Sequence, residues 1–233
     1  MKQVTTKGIV LTRVNYGEAD RIITFITPDQ GKITVIAKSV RKQKSKLAGG
    51  IELFSISEIS YIIGKSDINT LTSSRLQTHY GNLVKELPRT QLGFEVIKLI
   101  NRATEDSSDE DYFRLLDQTL QSLNDLEVDT QLTKTWFNMQ LLKIAGHMPD
   151  LNNDVNGQKL EVQNSYDFHM DQMRFAQAHQ EREGAFDCNH IKFLRLAAAA
   201  ERPHLLQRIN NATKLSDATN ALVQSMLANY VRV

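Results

Sequence analysis

Five cations fall within nine residues in Lys38-Ser-Val-Arg41-Lys42-Gln-Lys44-Ser-Lys46, and no carboxylate interrupts them. A run of this kind repels itself unless phosphates or a flanking acid neutralise it. The chemistry it suits is non-covalent capture of a polyanion; a solvated surface loop is the bland reading of the same residues. Arg13, Arg21 and Lys32 precede it, and Tyr16, in an Asn-Tyr-Gly turn, is the candidate for stacking beneath a base. Phe25 and Phe54 are expected in the barrel core instead.

Residues that could break or make covalent bonds are scarce. The sequence has no Walker loop, no G-x-S-x-G elbow and no H-E-x-x-H helix, so phosphoryl transfer, esterase chemistry and zincin proteolysis lack their usual groups. Glu105, Asp106, Asp109, Glu110 and Asp111 cluster before a helix, where an acidic first turn favoured by the helix dipole accounts for them. His169, His179, Cys188 and His190 offer nitrogen and sulfur ligands, but only Cys188 and His190 form a close pair. Structural metal sites bring their ligands as close pairs, so no metal, no cofactor and no enzymatic activity are expected. A metal-dependent hydrolase built on these histidines is the reading that stoichiometric metal and turnover would support.

The charge is unevenly distributed. Residues 1–78 hold 12 Lys+Arg against 6 Asp+Glu, whereas residues 79–233 hold 16 against 21. A basic part joined to an acidic part is expected where one meets nucleic acid and the other meets protein. The one cysteine, Cys188, excludes an intramolecular disulfide and suits a reducing compartment. The first residues lack the apolar stretch of a signal peptide, and no window approaches the roughly eighteen apolar residues of a membrane span, so a cytoplasmic protein without membrane partners is expected.

Two kinds of element must position these residues. Gly8 to Val14, Arg21 to Thr27 and Gly31 to Ala37 are rich in Ile, Val and Thr, and turn residues separate them. Phe54 to Ile63 and Ile68 to Arg75 add two strands around Gly64-Lys65-Ser66-Asp67. Five short strands in this length fit an OB-type barrel, which leaves few free edges. Beyond His79 the apolar period becomes helical, with Leu92, Val96, Leu99 and Ile100 on one face. Ser108 with Asp111 resembles a capping box before Tyr112, Leu115, Leu116 and Leu123. A further helix is expected from Asp129 to Ala145, burying Leu132, Trp136, Met139 and Leu142 and ending at Gly146. Residues 147–187 read as an irregular insert in which Lys159 to Val162 and Tyr166 to His169 form a small ribbon. Helices return near Asn189, over Pro203 to Ile209 and from Ser216 to Val231. The expected fold class is α+β: an OB domain at 1–78, then a mainly helical domain at 79–233 carrying the insert.

These segments carry a family resemblance. Gly8-Ile-Val-Leu-Thr-Arg-Val-Asn-Tyr-Gly-Glu-Ala-Asp-Arg21, Thr27-Pro-Asp-Gln-Gly-Lys32, Ala37-Lys38-Ser-Val-Arg41-Lys42-Gln-Lys44-Ser45 and Leu53-Phe54-Ser55 resemble the N-terminal domain of the bacterial recombination mediator RecO family. Trp136-Phe137 and Leu141-Leu142-Lys-Ile-Ala-Gly146-His-Met-Pro149-Asp-Leu151 are similar to that family's central helix and following turn. The resemblance implies a DNA recombination and repair protein that binds single- and double-stranded DNA and anneals complementary strands. With RecR, it would load RecA on DNA coated by single-strand binding protein. It implies a DNA surface containing Arg21, Lys38, Arg41, Lys42 and Lys44, and work at the nucleoid; the cation run itself adds Lys46, and the other connecting loops add Arg13 and Lys32. It also implies that the helical domain holds the acidic, apolar tail of the single-strand binding protein, with Lys134 and Trp136 as partner-binding residues.

The chain departs from the pattern twice. Where many relatives carry a four-cysteine zinc ribbon, it reads Asn152-Asn-Asp154-Val-Asn-Gly157 and Phe175-Ala-Gln-Ala178, so no structural zinc is expected. Ser39-Val40 replaces the small Gly-Ala that usually precedes the basic pair. A reading of another class is an RNA- or ribosome-associated adaptor with the same barrel, which a preference for RNA through its 2′-hydroxyl would favour.

Overall fold

The computed structural model describes residues 2–64, 68–104, 110–178 and 182–231. Strands β1 (Gln3–Tyr16), β2 (Asp20–Thr27), β3 (Gly31–Ala37), β4 (Ser55–Ile62) and β5 (Ile68–His79) close into a barrel in the order β1-β2-β3-β5-β4. Four of the strand pairs are antiparallel and β3 runs parallel to β5. This is the OB arrangement expected from the strand count. It depends on β1 being long enough to pair twice: Gln3 to Ile9 against β4, and Ile9 to Tyr16 against β2. A register shift between Val10 and Thr12 bends the strand from one partner to the other.

Alternation along the strands fills the interior. Val10, Ile23, Phe25, Val35, Ile59, Tyr61 and Leu71 form one buried cluster. Phe54 does not join it, contrary to expectation. Its backbone lies in the left-handed region at φ 55°, and its ring meets Phe94 edge-on with centroids 5.0 Å apart. Phe54 therefore fastens helix α1 (Leu87–Ala103), where Gly93 leaves room: a Cβ there would lie 2.9 Å from the Phe54 ring. β1 also extends past its expected ends, so Tyr16 closes the strand opposite Asp20 rather than lying in the turn.

The barrel strands end at His79, and the chain divides by compactness into Met1–Leu126 and Glu127–Val233. The first unit thus includes α1 and α2 (Glu110–Asn124) beside the barrel. Tyr112, Leu115, Leu116, Leu120 and Leu123 form the buried stripe of α2. Of the expected capping box, Ser108 lies outside the described residues. Buried Arg89 closes the far end of α2, donating to the carbonyls of Leu123 (3.3 Å), Asp125 (3.0 Å) and Leu126 (2.8 Å) and to the Glu86 carboxylate (2.7 Å). Tyr80 donates its phenol O–H to Asp117, and burial together with that carboxylate pushes its pKa well above the usual tyrosine range.

In the second unit, the Asp129 carboxylate caps α3 (Thr130–Ile144) by accepting from Gln131 and Leu132. Gly146 at φ 79° ends that helix, and His147 N–H donates back to Leu142. Strands β6 (Asp150–Asp154), β7 (Tyr166–His169) and β8 (Arg174–Gln177) form a sheet in the order β6-β8-β7. The expected ribbon is corrected here: β7 pairs with β8, and Lys159 makes only an isolated bridge to Asn153. The sheet packs around fully buried Phe175, whose ring meets those of Tyr166, Phe168 and Phe186 edge-on. Helices α4 (Cys188–Ala199) and α5 (Ala212–Tyr230) complete the unit, with a 3-10 segment at Pro203–Arg208 between them.

Candidate nucleic-acid interface

The segment joining β3 to β4 carries the cations, and it is held at three points. At its start, the Asp20 carboxylate accepts the backbone N–H of Ser39 at 2.7 Å, and the Ala19 carbonyl accepts that of Arg41 at 2.9 Å. Between those two bonds, Val40 turns inward and is buried with the barrel core. At its end, Ser74 of β5 donates its hydroxyl to the Leu47 carbonyl at 2.8 Å. Gly50 then lies so close to β5 that a Cβ would come within 2.5 Å of the Ser74 hydroxyl. Between these anchors the chain turns back on itself, Lys42 N–H donating to Ser39 and Ser45 N–H to Lys42. Lys38, Arg41, Lys42, Lys44 and Lys46 all face solvent on this arch.

The hairpin between β1 and β2 lies against the start of the arch. The Arg41 guanidinium reaches the Gly17 carbonyl at 3.4 Å, which brings it beside Tyr16. Tyr16 is 55% exposed and Val14, on the same face of β1, is 60% exposed, so the hairpin that Arg41 reaches presents an aromatic and an aliphatic side chain to solvent. Arg21 is steadied by donating its Nε–H to the Asn15 side chain at 3.1 Å. Arg13 pairs with Glu52 at 3.0 Å, which offsets part of its charge. Among the described residues, no carboxylate forms an ion pair with Lys38, Lys42, Lys44 or Lys46. The arch is therefore a concentrated, solvated positive charge on a fixed backbone.

Lys32 is not brought to this cluster. It is the second residue of β3, at the other end of that strand from Ala37, and its amine donates to the Asn101 carbonyl in the last turn of α1 at 2.8 Å. Trp136 lies in the interior of the second unit. Its side chain is 1% exposed, and its indole N–H donates to the Ala200 carbonyl at 2.8 Å, so it offers no surface to a partner. Lys134, two residues earlier on α3, is half-buried. Asp20, Val40 and Ser74 were not anticipated as supports. The small polar side chain opening β2 was the one local signal for Asp20, and nothing local marks Ser74.

Among the described residues, no group of three or more His, Cys, Asp or Glu is arranged to hold a metal ion. His190 instead joins Asp187 in a capping box at the start of α4. Burial works to raise the Asp187 carboxyl, but hydrogen bonds from the His190 and Asn189 backbone and the nearby imidazole outweigh it and lower its pKa. His179 lies outside the described residues, as do Glu105, Asp106 and Asp109. No helix among the described residues is long and apolar enough to cross a membrane.

The barrel order and the cationic arch place the first unit in the class of OB-fold modules. Comparison with known proteins then gives the family. The model for the recombination protein O N terminal matches residues 1–80, and that for the recombination protein O C terminal matches residues 87–232. The chain belongs to the recombination protein O family. It is 38% identical over 163 residues to the DNA repair protein RecO of Dehalococcoides mccartyi (strain 195), covering 69% of this chain and 64% of the relative. It is 34% identical over 158 residues to the DNA repair protein RecO of Desulfatibacillum aliphaticivorans, covering 66% of this chain and 61% of the relative. The matched region thus spans somewhat less than two thirds of either relative's length.

Proposed function

We propose that this chain is a DNA repair and recombination protein that captures DNA through the β3–β4 arch and promotes annealing without covalent chemistry. The observation that carries this reading is the exposed cationic arch fixed on an OB barrel beside Tyr16 and Val14. Single strands are bound by cations tracking the backbone and by side-chain surfaces beneath the bases. Two strands repel because both are anionic, and a cationic surface lowers that repulsion while leaving the bases free to pair. The family and the names of its relatives support DNA repair as the setting. RecR, RecA loading, single- and double-stranded DNA and the single-strand binding protein enter as the partners of this activity, which would take place in the cytoplasm at the nucleoid.

For the acidic, apolar tail of the single-strand binding protein, a groove in the second unit is proposed, because Trp136 is buried. A groove of about 320 Å³ is lined by Met148, Leu151 and Ala198 together with Lys143 and Arg195. Asp150 also lines it.

The test is fluorescence-anisotropy binding to matched single-stranded DNA and RNA across a salt series, with wild type beside a variant changing Arg41, Lys42, Lys44 and Lys46 to Ala. Engagement of six single-strand phosphates gives a slope of log affinity against log salt of about −4. DNA binding at least as tight as RNA binding, and reduced in the variant, is the expected result. Salt-insensitive binding would overturn the reading, and a clear preference for RNA would favour the adaptor class instead.

A further inference from the structure

A carboxylate beside a polyanion-binding surface ordinarily weakens binding, yet Asp20 sits at the root of the cationic arch. Its Oδ1 accepts the Ser39 N–H at 2.7 Å, one residue after Lys38 and two before Arg41. The neighbouring Ala19 carbonyl accepts the Arg41 N–H at 2.9 Å, so the β1–β2 hairpin grips the arch through two consecutive residues. Ser39 is also in the left-handed region at φ 54°, a conformation that costs a non-glycine residue energy and persists where its surroundings impose it. The hydrogen bond to Asp20 is one of those constraints, and the burial of Val40 immediately after is another.

We infer that Asp20 is a positioning residue for DNA binding: its carboxylate fixes the backbone at Ser39 and so presets where Lys38, Arg41 and Lys42 meet phosphate. This rests on the arch being the DNA surface. Its physical basis is preorganisation, because a loop ordered before binding does not lose that freedom on binding. The cost of placing a negative charge near the site is outweighed by the ordering of several positive ones.

The charge and the hydrogen bond act in opposite directions, which makes the two effects separable. Asp20→Ala removes both the charge and the acceptor, whereas Asp20→Asn removes the charge and keeps a carbonyl oxygen that can accept from Ser39. If Asp20 acted by charge alone, both variants would bind DNA more tightly. As a positioning residue, it makes Asp20→Ala bind a fluorescein-labelled single-stranded oligonucleotide more weakly, by about five-fold, while Asp20→Asn binds more tightly than wild type. Hydrogen exchange provides the structural readout: in Asp20→Ala the Ser39 and Arg41 amides lose protection while those of Ile23 and Val35 keep theirs, and in Asp20→Asn all four stay protected. Both variants shifting affinity in the same direction would overturn the inference. Should Asp20→Ala not fold, weaker binding by Asp20→Asn would overturn it by itself. The variant with Arg41, Lys42, Lys44 and Lys46 changed to Ala separates the two failures. Undiminished binding there removes the DNA-surface reading, whereas lost binding there without the opposed Asp20 effects removes only the positioning role.

Discussion

The indole N–H of Trp136 on α3 donates to the carbonyl of Ala200, just past the end of α4, at 2.8 Å. Gln140, one turn further along α3, donates its side-chain amide to the carbonyls of Ala197 and Ala198, both at 3.0 Å. The last carbonyls of α4, which have no partner within their own helix, are thus satisfied from α3. Trp136→Phe removes one donor and is expected to lower stability by about 1 kcal/mol. Trp136→Ala also empties a buried volume and is expected to cost about 3–5 kcal/mol. Equilibrium urea unfolding of the two variants would check both values, and equal losses would mean that the hydrogen bond, rather than the ring, dominates.

Ser39 occupies a left-handed position, φ 54°, where glycine bears no Cβ penalty. Ser39→Gly is therefore expected to relieve about 1 kcal/mol of strain, part of which is returned as greater freedom of the unfolded chain. Val40→Ala has the opposite sign, because Val40 is only 3% exposed and packs in the barrel core; a loss of about 2 kcal/mol is expected. Thermal unfolding of both variants would test the pair. Destabilisation by Ser39→Gly would mean that entropy outweighs strain at this turn.

The barrel strands were legible because β-branched runs alternate with turn residues, a signal carried within each segment. The ends of β1 and β5 were not, since Thr5 and Lys7 join β1 through pairing with Ser60 and Glu58 of β4, residues remote in sequence. The cationic arch was visible in composition, but its supports were hidden for the same reason: Asp20, Val40 and Ser74 act through contacts made only when the barrel closes. Phe54 and Trp136 each carried an apolar ring whose burial was expected, yet only the fold shows that Phe54 holds α1 and that the Trp136 N–H is occupied. In the insert, the β7 partner was misread because Lys159 to Val162 and Arg174 to Gln177 are equally short, and their choice rests on packing around Phe175.

Arg89 gives the first unit a polar support inside its helices. Its guanidinium satisfies three carbonyls at and beyond the end of α2 while pairing with Glu86. Arg89→Met fills a similar volume but leaves those carbonyls without that donor, and a loss of about 3 kcal/mol is expected. Arg89→Lys restores the charge without the planar fork and should recover only part of that loss. Urea unfolding followed by circular dichroism would rank the three proteins, and full recovery by Lys would show that charge rather than geometry matters.

Asp150 sets the acid sensitivity of the turn that opens the insert. Burial works to raise its pKa, but the N–H groups of Asn152 and Asn153, the Asn153 side chain and the Arg174 guanidinium outweigh this, so the carboxyl titrates below its ordinary value. A depressed folded-state pKa stabilises the native form above the unfolded-state value, and that contribution is lost as pH falls through the folded-state value. The expected consequence is loosening of the Asn152 and Asn153 amides only once the pH falls below the ordinary aspartate range. Asp150→Asn keeps an acceptor that does not titrate, so in that variant the amide resonances of Asn152 and Asn153 should move less over the same range. If both proteins shifted equally, Asp150 would not be the group responsible, and titration elsewhere in the second unit, including at Asp187 with its similarly lowered pKa, would have to account for the change.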